Sequence, residues 1–94
     1  MYEVEVVIFS KLELDRFRWR CRRGMLELDL LLLPFFEEVF HDLTGQQQHA
    51  FIRLLEQEDP DLIQWFSLKG QAGNSEMQAM VDMILERVQP TSYL

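Results

Sequence analysis

Apolar residues recur at helical spacing in five segments of this 94-residue chain, which predicts five helices and an all-α fold. The last segment has the cleanest pattern, because its apolar positions fall at i, i+3, i+4, i+7 and i+11. This stripe consists of Met77, Met80, Val81, Ile84 and Val88. Short polar connections between the segments predict a compact five-helix bundle in a single domain.

The first predicted helix covers Leu12–Arg23 and ends in a run of arginines followed by Gly24. A basic last turn followed by glycine is typical of a helix C-terminus, because glycine accepts the left-handed conformation there. We therefore expect Gly24 in a tight turn between two helices. The inward positions of helix one are Leu14, Phe17 and Cys21, with Trp19 near the edge of the stripe.

The second helix is predicted over Leu26–Asp42, and Pro34 lies inside it. Proline removes one backbone hydrogen bond and crowds the carbonyl of Leu30, so we expect either a kink or a break into two pieces. The run from Leu30 to Phe36 is interpreted as core. The predicted apolar face contains Leu28, Leu32, Phe35 or Phe36, and Val39, with Phe40 beside it.

Capping signals divide the rest of the chain. Thr44 and Gln47 fit a capping box before helix three. Asp59 is the predicted N-cap of helix four with Pro60 at its first position, and Ser75 with Gln78 is predicted to cap helix five. Gly70 and Pro90 are predicted to end helices four and five. The inward sets are Phe51, Leu54 and Leu55 in helix three, and Leu62 or Ile63 with Trp65 and Phe66 in helix four.

The two termini are assigned outside the helical domain, which is predicted over residues 12–89. Residues 1–11 alternate weakly in polarity, but a lone strand is not stable in water, so a flexible N-terminal extension is predicted. The alternative is an extension that packs on the core or on a neighbour. Residues 90–94 are predicted to fray.

Composition excludes several classes of protein. The chain contains no apolar run of the ~20 residues that a membrane span needs, so membrane insertion is not expected. One cysteine cannot form an internal disulfide, and Glu3 and Glu5 argue against a secretory signal, so we expect the bacterial cytoplasm. A net charge of −7 disfavours nonspecific binding of nucleic acid.

No catalytic constellation is visible in the sequence. His41 and His49 are isolated from each other and from any cysteine pair, so no metal site is predicted. Cys21 lies among arginines, which would favour a thiolate and leaves a thiol enzyme as one alternative. The alternative that we favour is a small buried apolar residue, since no histidine is near. The chain is therefore expected to be a binding protein and not an enzyme.

A cluster of arginines is the strongest charge feature. Five of the nine basic residues lie within eight positions: Arg16, Arg18, Arg20, Arg22 and Arg23. They could form a solvated helix face that pairs with the acidic remainder of the chain. With Trp19 they could also bind RNA through phosphate contacts and stacking, or recognise an acidic protein surface.

Three blocks of sequence resemble the SdhE family, the bacterial counterparts of mitochondrial succinate dehydrogenase assembly factor 2. The first block runs from Trp19 to Asp29 and is followed by Pro34–Glu37, with the sequences WRCRRGMLELD and PFFE. The other two are FIRLLE at Phe51–Glu56, and DPDL at Asp59–Leu62 with Trp65. The blocks occur in the family's order, and the resemblance covers Phe17 to Val88.

This resemblance implies a five-helix bundle that binds the flavoprotein subunit of succinate dehydrogenase or fumarate reductase. It implies that the factor promotes covalent attachment of FAD to that subunit, by favouring a conformation in which the flavoprotein's own histidine bonds to the flavin. FAD is then the cofactor of the client, and this chain, as a monomer, holds none for its own catalysis. Some family members have also been described as antitoxins, so an antitoxin-like or RNA-binding module is the alternative.

The resemblance places the family's signature motif on Arg23, Gly24 and Glu27. Gly24 lacks a Cβ and would let a partner's backbone approach closely, while Arg23 could offer a planar bidentate donor to a carboxylate. Arg23 and Glu27 could instead pair with each other if the helix continued through Gly24. Further expected contacts are Arg22, Asp29 and Trp19, and Trp65 and Phe66 are expected in the core.

Overall fold

The computed structural model describes residues 8–67 and 71–88, with only the backbone of Val88. Within these ranges the chain forms five α-helices, one short 3-10 helix and no strand, so the all-α five-helix prediction is confirmed. The α-helices are α1 (Lys11–Arg20), α2 (Leu26–Glu38), α3 (Gly45–Leu55), α4 (Asp59–Phe66) and α5 (Ser75–Val88). The 3-10 helix, Phe40–Asp42, follows α2 directly.

The core is built mainly from α2, α3 and α5. Phenylalanine rings dominate its centre, with the rings of Phe35 and Phe51 stacked 5.5 Å apart and those of Phe40 and Phe51 separated by 5.6 Å. Such aromatic pairs add to the free energy gained by burying their area. Fully buried around them are Leu28, Leu32, Phe36, Leu54, Leu62, Val81 and Ile84.

Most predicted inward positions are confirmed. Met77, Met80, Val81 and Ile84 are buried, whereas the side chain of Val88 lies outside the described part. In α2 both Phe35 and Phe36 are buried, so the predicted choice between them was unnecessary. In α4 the predicted Leu62 and Phe66 are buried and Trp65 is partly buried against the core, whereas the alternative Ile63 is exposed. The prediction that Leu30 belongs to the core is wrong, because its side chain is 60% exposed.

Two predicted helix bounds need correction. Helix α1 ends at Arg20, before the predicted Arg23, because the amide of the C-cap residue Cys21 donates to the carbonyls of Phe17 and Arg18 and the chain then turns. Helix α2 ends at Glu38 and continues only as a 3-10 turn. Pro34 does not break α2 into two pieces.

The caps agree with the sequence to within one residue. The box of Thr44 and Gln47 is present as predicted, and an equivalent box of Ser10 and Glu13, which was not predicted, starts α1. The N-cap position of α4 is Glu58 rather than Asp59, and its side chain makes no capping hydrogen bond. At α5 the side chain of Asn74, not Ser75, accepts the amide of Met77. The predicted terminators Gly70 and Pro90 lie outside the described residues.

Part of the predicted N-terminal extension can be described. Helix α1 begins at Lys11, and the half-buried Phe9 ring packs edge-on against Phe17 at 5.2 Å. Residues 1–7 and 90–94 lie outside the described part, so the predictions of a flexible extension and a frayed C-terminus remain predictions. Within the described ranges, no helix combines the length and apolarity needed to cross a membrane.

Candidate partner-binding surface

The turn between α1 and α2 is anchored to the core at its start. Cys21 is fully buried within the apolar cluster, so the interpretation of this residue as a small apolar core residue is confirmed. Burial in apolar surroundings raises the pKa of the Cys21 thiol to about 12. A protonated, inaccessible thiol is a poor nucleophile at neutral pH, which argues against the thiol-enzyme alternative.

Gly24 occupies the exposed part of this turn in a left-handed conformation. Its φ is +83°, which only glycine adopts without strain. A Cβ built at Gly24 would meet no atom within 4 Å. The glycine is therefore required by the local backbone conformation, and the space in front of it is open to a partner. The prediction that Gly24 lies in a turn between helices is confirmed.

The side chain of Arg23 points back into the protein. It is only 13% exposed, and its Nε donates to Oδ1 of Asp59 at 2.8 Å. The two terminal nitrogens donate to backbone carbonyls near the ends of α1 and α3. These acceptors are Arg20 at 3.0 Å, Leu55 at 2.8 Å and Gln57. Arg23 thus pairs with Asp59 and not with Glu27.

Two acidic residues in the first turn of α2 have different environments. Asp29 is half-buried, and its Oδ1 accepts the backbone amide of Arg23 at 2.7 Å. Glu27 is exposed and makes no hydrogen bond or ion pair with the described part of the chain. Both negative charges are stabilised by the positive end of the α2 dipole. Of these two carboxylates, that of Glu27 is the one without a hydrogen-bond partner among the described residues.

Exposed apolar residues surround the turn. The Trp19 side chain in the last turn of α1 is 71% exposed, and Arg22 beside it is exposed without an ion pair in the described ranges. Leu26 and Leu30, one helical turn apart on α2, are 70% and 60% exposed. Large exposed apolar side chains clustered with polar ones are typical of interaction sites.

An open groove between α2 and α4 continues this surface. It is lined mostly by apolar groups, and Glu27 lies at its edge. The lining residues are Glu27, Leu28, Leu31, Ile63, Phe66 and Ser67. The exposed residues of the turn and this groove together offer apolar contact area next to a free carboxylate and a free guanidinium. We call Trp19, Arg22, Gly24 and Glu27 the turn surface.

The arginine cluster is only partly available for ligands. Arg18 forms an ion pair with Glu37 on α2, with Nε and Oε2 2.8 Å apart, and lies over the ring of Phe36. Its hydrogen bond lowers the pKa of Glu37 below its ordinary value. Arg23 is also engaged, as described above. Arg16, Arg20 and Arg22 remain exposed, so the cluster offers fewer cations to a phosphate backbone than its sequence suggests.

The six predicted contact residues separate into two groups. Trp19, Arg22, Gly24 and Glu27 are exposed and form the turn surface. Arg23 and Asp29 lie beneath it and hold the turn through hydrogen bonds within the chain. Sequence reasoning did not include Asp59, Leu26, Leu30 or Ile63. Part of this surface could have been predicted. Leu26 and Leu30 are spaced i, i+4 and lie outside the apolar face predicted for helix two, which indicates a second apolar patch on that helix.

The described residues form a small helical protein whose most distinctive site is an exposed turn suited to contacts with a protein. Within those residues no group of three or more His, Cys, Asp or Glu could hold a metal ion. The profile of the Sdh5 family, described as "Flavinator of succinate dehydrogenase", matches residues 15–88. The chain therefore belongs to the Sdh5 family.

Individual relatives agree with this assignment. The chain is 48% identical over 79 residues to the FAD assembly factor SdhE of Aliivibrio fischeri, covering 84% of this chain and 92% of the relative. It is 50% identical over 78 residues to the SdhE of Pseudomonas aeruginosa, covering 83% and 93%. A solution structure of a UPF0350 protein aligns with a TM-score of 0.72 and 45% identity over 85% of each chain.

Proposed function

We propose that this protein is an assembly factor that binds the flavoprotein subunit of succinate dehydrogenase or fumarate reductase and promotes covalent attachment of FAD to it. Membership of the Sdh5 family and the names of its relatives support the client and the cofactor. The protein acts in the bacterial cytoplasm as a monomer and is not an enzyme. FAD belongs to the client.

The observation that carries the proposal is the conformation of the turn surface. Gly24 is exposed, left-handed and free of neighbours, so the client's backbone can approach it more closely than it could approach any other residue. Glu27 and Arg22 offer opposite charges beside it, and Trp19 offers a large rigid ring. Aromatic residues and arginine are the side chains that contribute most to affinity in protein interfaces.

Binding alone can promote the attachment reaction. A factor that binds one conformation of its client more tightly shifts the client's population towards that conformation. If the preferred conformation places the client's own histidine beside the flavin, the bond can form without a catalytic group from this chain. Buried Cys21, with a raised pKa, and the ion-paired Arg18 are consistent with a surface that binds and does not react.

The test compares three glycine variants co-expressed with the flavoprotein. Gly24→Arg adds both backbone strain and bulk, Gly24→Ala adds the strain with little bulk, and Gly73→Arg adds the same bulk in another exposed turn without positive φ. Covalent flavin is measured as fluorescence of the denatured flavoprotein. We expect Gly24→Arg to abolish it, Gly24→Ala to retain part of it and Gly73→Arg to leave it unchanged.

The outcome also depends on folding, which circular dichroism and urea unfolding check. Both Gly24 variants place a Cβ in a left-handed conformation. This strain should lower their free energy of unfolding by about 1 kcal/mol. Undiminished covalent flavin with a folded Gly24→Arg variant would contradict the proposed surface. Equal losses in the Arg and Ala variants would show that backbone conformation matters more than open space.

A further inference from the structure

We infer that Arg23 and Asp59 are positioning residues: their ion pair holds the turn surface in its binding conformation, and neither side chain needs to touch the client. The inference rests on the proposed function for its client, and on the geometry of the Arg23 side chain for its mechanism. It assigns to Asp59, on α4, a role that its place in the sequence does not reveal.

The contacts of Arg23 connect four helices. Its guanidinium donates to the carbonyl of Arg20 at the end of α1 and to those of Leu55 and Gln57 at the end of α3. Its Nε donates to Asp59 in the first turn of α4. Its backbone amide donates to Asp29 in the first turn of α2. One residue thus fixes the turn relative to the ends of two helices and the starts of two others.

The chemistry at these ends favours a cation at this position. The last carbonyls of a helix lack partners within the helix and carry partial negative charge. A planar guanidinium with five donors can satisfy several of them at once while keeping an ion pair, which a lysine ammonium on a flexible stem reproduces less well. With the side chain only 13% exposed, water replaces these bonds poorly if they are lost.

Gly24 follows Arg23 directly, so its placement depends on this anchor. A glycine in an exposed turn has wide conformational freedom, and its φ of +83° is one of several accessible values. With Arg23 held on both its amide and its side chain, the turn loses most of that freedom before the client arrives. Preorganised surfaces bind more tightly because less conformational entropy is lost on association.

A matched pair of ion-pair variants tests this inference. Asp59→Asn weakens the bond to Arg23, and Glu76→Gln weakens a more exposed ion pair, in which Arg53 of α3 donates to Glu76 of α5 at 2.6 Å. Each replaces a carboxylate with an amide. We expect Asp59→Asn to weaken affinity for the purified flavoprotein about tenfold, and Glu76→Gln to leave it unchanged.

Hydrogen exchange supplies a readout that does not need the client. Asp59→Asn should speed exchange at the amides of Arg23, Gly24 and Met25 while core amides in α5 keep their protection, and Glu76→Gln should leave the turn amides unchanged. The double variant Arg23→Gln with Asp59→Asn should bind no more weakly than Arg23→Gln alone, since both changes break one interaction.

Opposite results distinguish the alternatives. If Arg23 bound a client carboxylate directly, Asp59→Asn would free its guanidinium, and unchanged or tighter binding with unchanged turn exchange would overturn the inference. If Asp59→Asn does not fold, Arg23→Lys replaces it, and wild-type affinity with wild-type turn exchange in that variant would likewise overturn the inference. Failure of the wild-type protein to bind the flavoprotein would overturn the proposed function, while the exchange experiment would still decide whether the pair holds the turn.

Discussion

Helix α5 buries four of its apolar side chains in the core, whereas α1 buries none completely and leaves Leu12 and Trp19 largely open to solvent. The apolar residues of the two helices have different roles. The stripe of α5 stabilises the fold. Helix α1 contacts the core through half-buried Leu14 and Phe17 and leads into the turn surface. The exposed Trp19, five residues before the left-handed Gly24, therefore adds little to the core and is accessible to another molecule.

The largest expected effect is on stability and belongs to α5. Ile84→Ala should lower the free energy of unfolding by about 3 kcal/mol, because the fully buried side chain leaves a cavity. Leu12→Ala on α1, where the side chain is 62% exposed, should change it by less than about 0.5 kcal/mol. Urea unfolding monitored by circular dichroism measures both. Similar losses in the two variants would contradict the contrast between the helices.

The second expected effect is on binding and belongs to α1. Trp19→Ala should weaken affinity for the flavoprotein by about 2 kcal/mol, as loss of an aromatic anchor does, with little change in stability. Calorimetric titration measures the affinity, and Leu12→Ala, two turns earlier on the same helix, serves as the control. A Trp19→Ala variant that binds like the wild type would remove Trp19 from the turn surface.

A smaller effect is expected for the free carboxylate of the turn surface. Glu27→Gln keeps the shape of the side chain but removes its charge. It should weaken binding by about 1 kcal/mol, through a slower association rate that depends less on salt. Glu86→Gln, at an exposed position of α5, is the matched control. The affinities of both variants are compared at low and high salt. An equal loss in both would assign the effect to net charge and not to the site.

A further expected effect concerns pH and Cys21, the buried residue at the C-cap of α1. Burial raises the pKa of the Cys21 thiol to about 12 in the folded protein, well above the ordinary value of an exposed thiol. Because the folded state binds this proton more tightly, its contribution to stability is complete below pH ~9 and is lost as the pH rises towards 12. Wild type should therefore lose more stability than Cys21→Ala between pH 9 and pH 11. Parallel pH profiles of the unfolding free energy would contradict the assigned burial.

Local signals in the sequence were enough to predict most of the fold. Periodicity located all five helices, and the Thr44–Gln47 box located the start of α3. The same signal at Ser10 and Glu13 was present but not used, which shifted the start of α1. At α5 the cap lies one residue earlier than predicted, because the side chain of Asn74, next to Ser75, accepts the amide of Met77. At α4 the N-cap position is also one residue earlier, at Glu58, without a side-chain hydrogen bond.

The inward direction of Arg23 had no local signal. Its acceptors Leu55 and Asp59 lie 32 and 36 residues away, at a turn between helices whose position depends on the packing of the whole bundle. From the motif alone, Arg23 was therefore predicted to bind a carboxylate of the client, with an ion pair to Glu27 as the alternative. The exposure of Gly24 and Glu27, in contrast, was predictable from the sequence. Gly24 was predicted in a turn between helices, and Glu27 is a charged residue at the start of an apolar helix.

The φ of +83° at Gly24 has a stereochemical consequence. Its mirror image, near −83°, is an ordinary angle for an L residue, so a D-amino acid accepts the native value without strain. A chemically synthesised chain with D-alanine at position 24 should be more stable than wild type by about 0.5 kcal/mol, because the unfolded chain loses freedom. The L-alanine variant should be less stable than wild type. At position 24, the chirality of the alanine and not its size should therefore decide whether the folded protein becomes more or less stable.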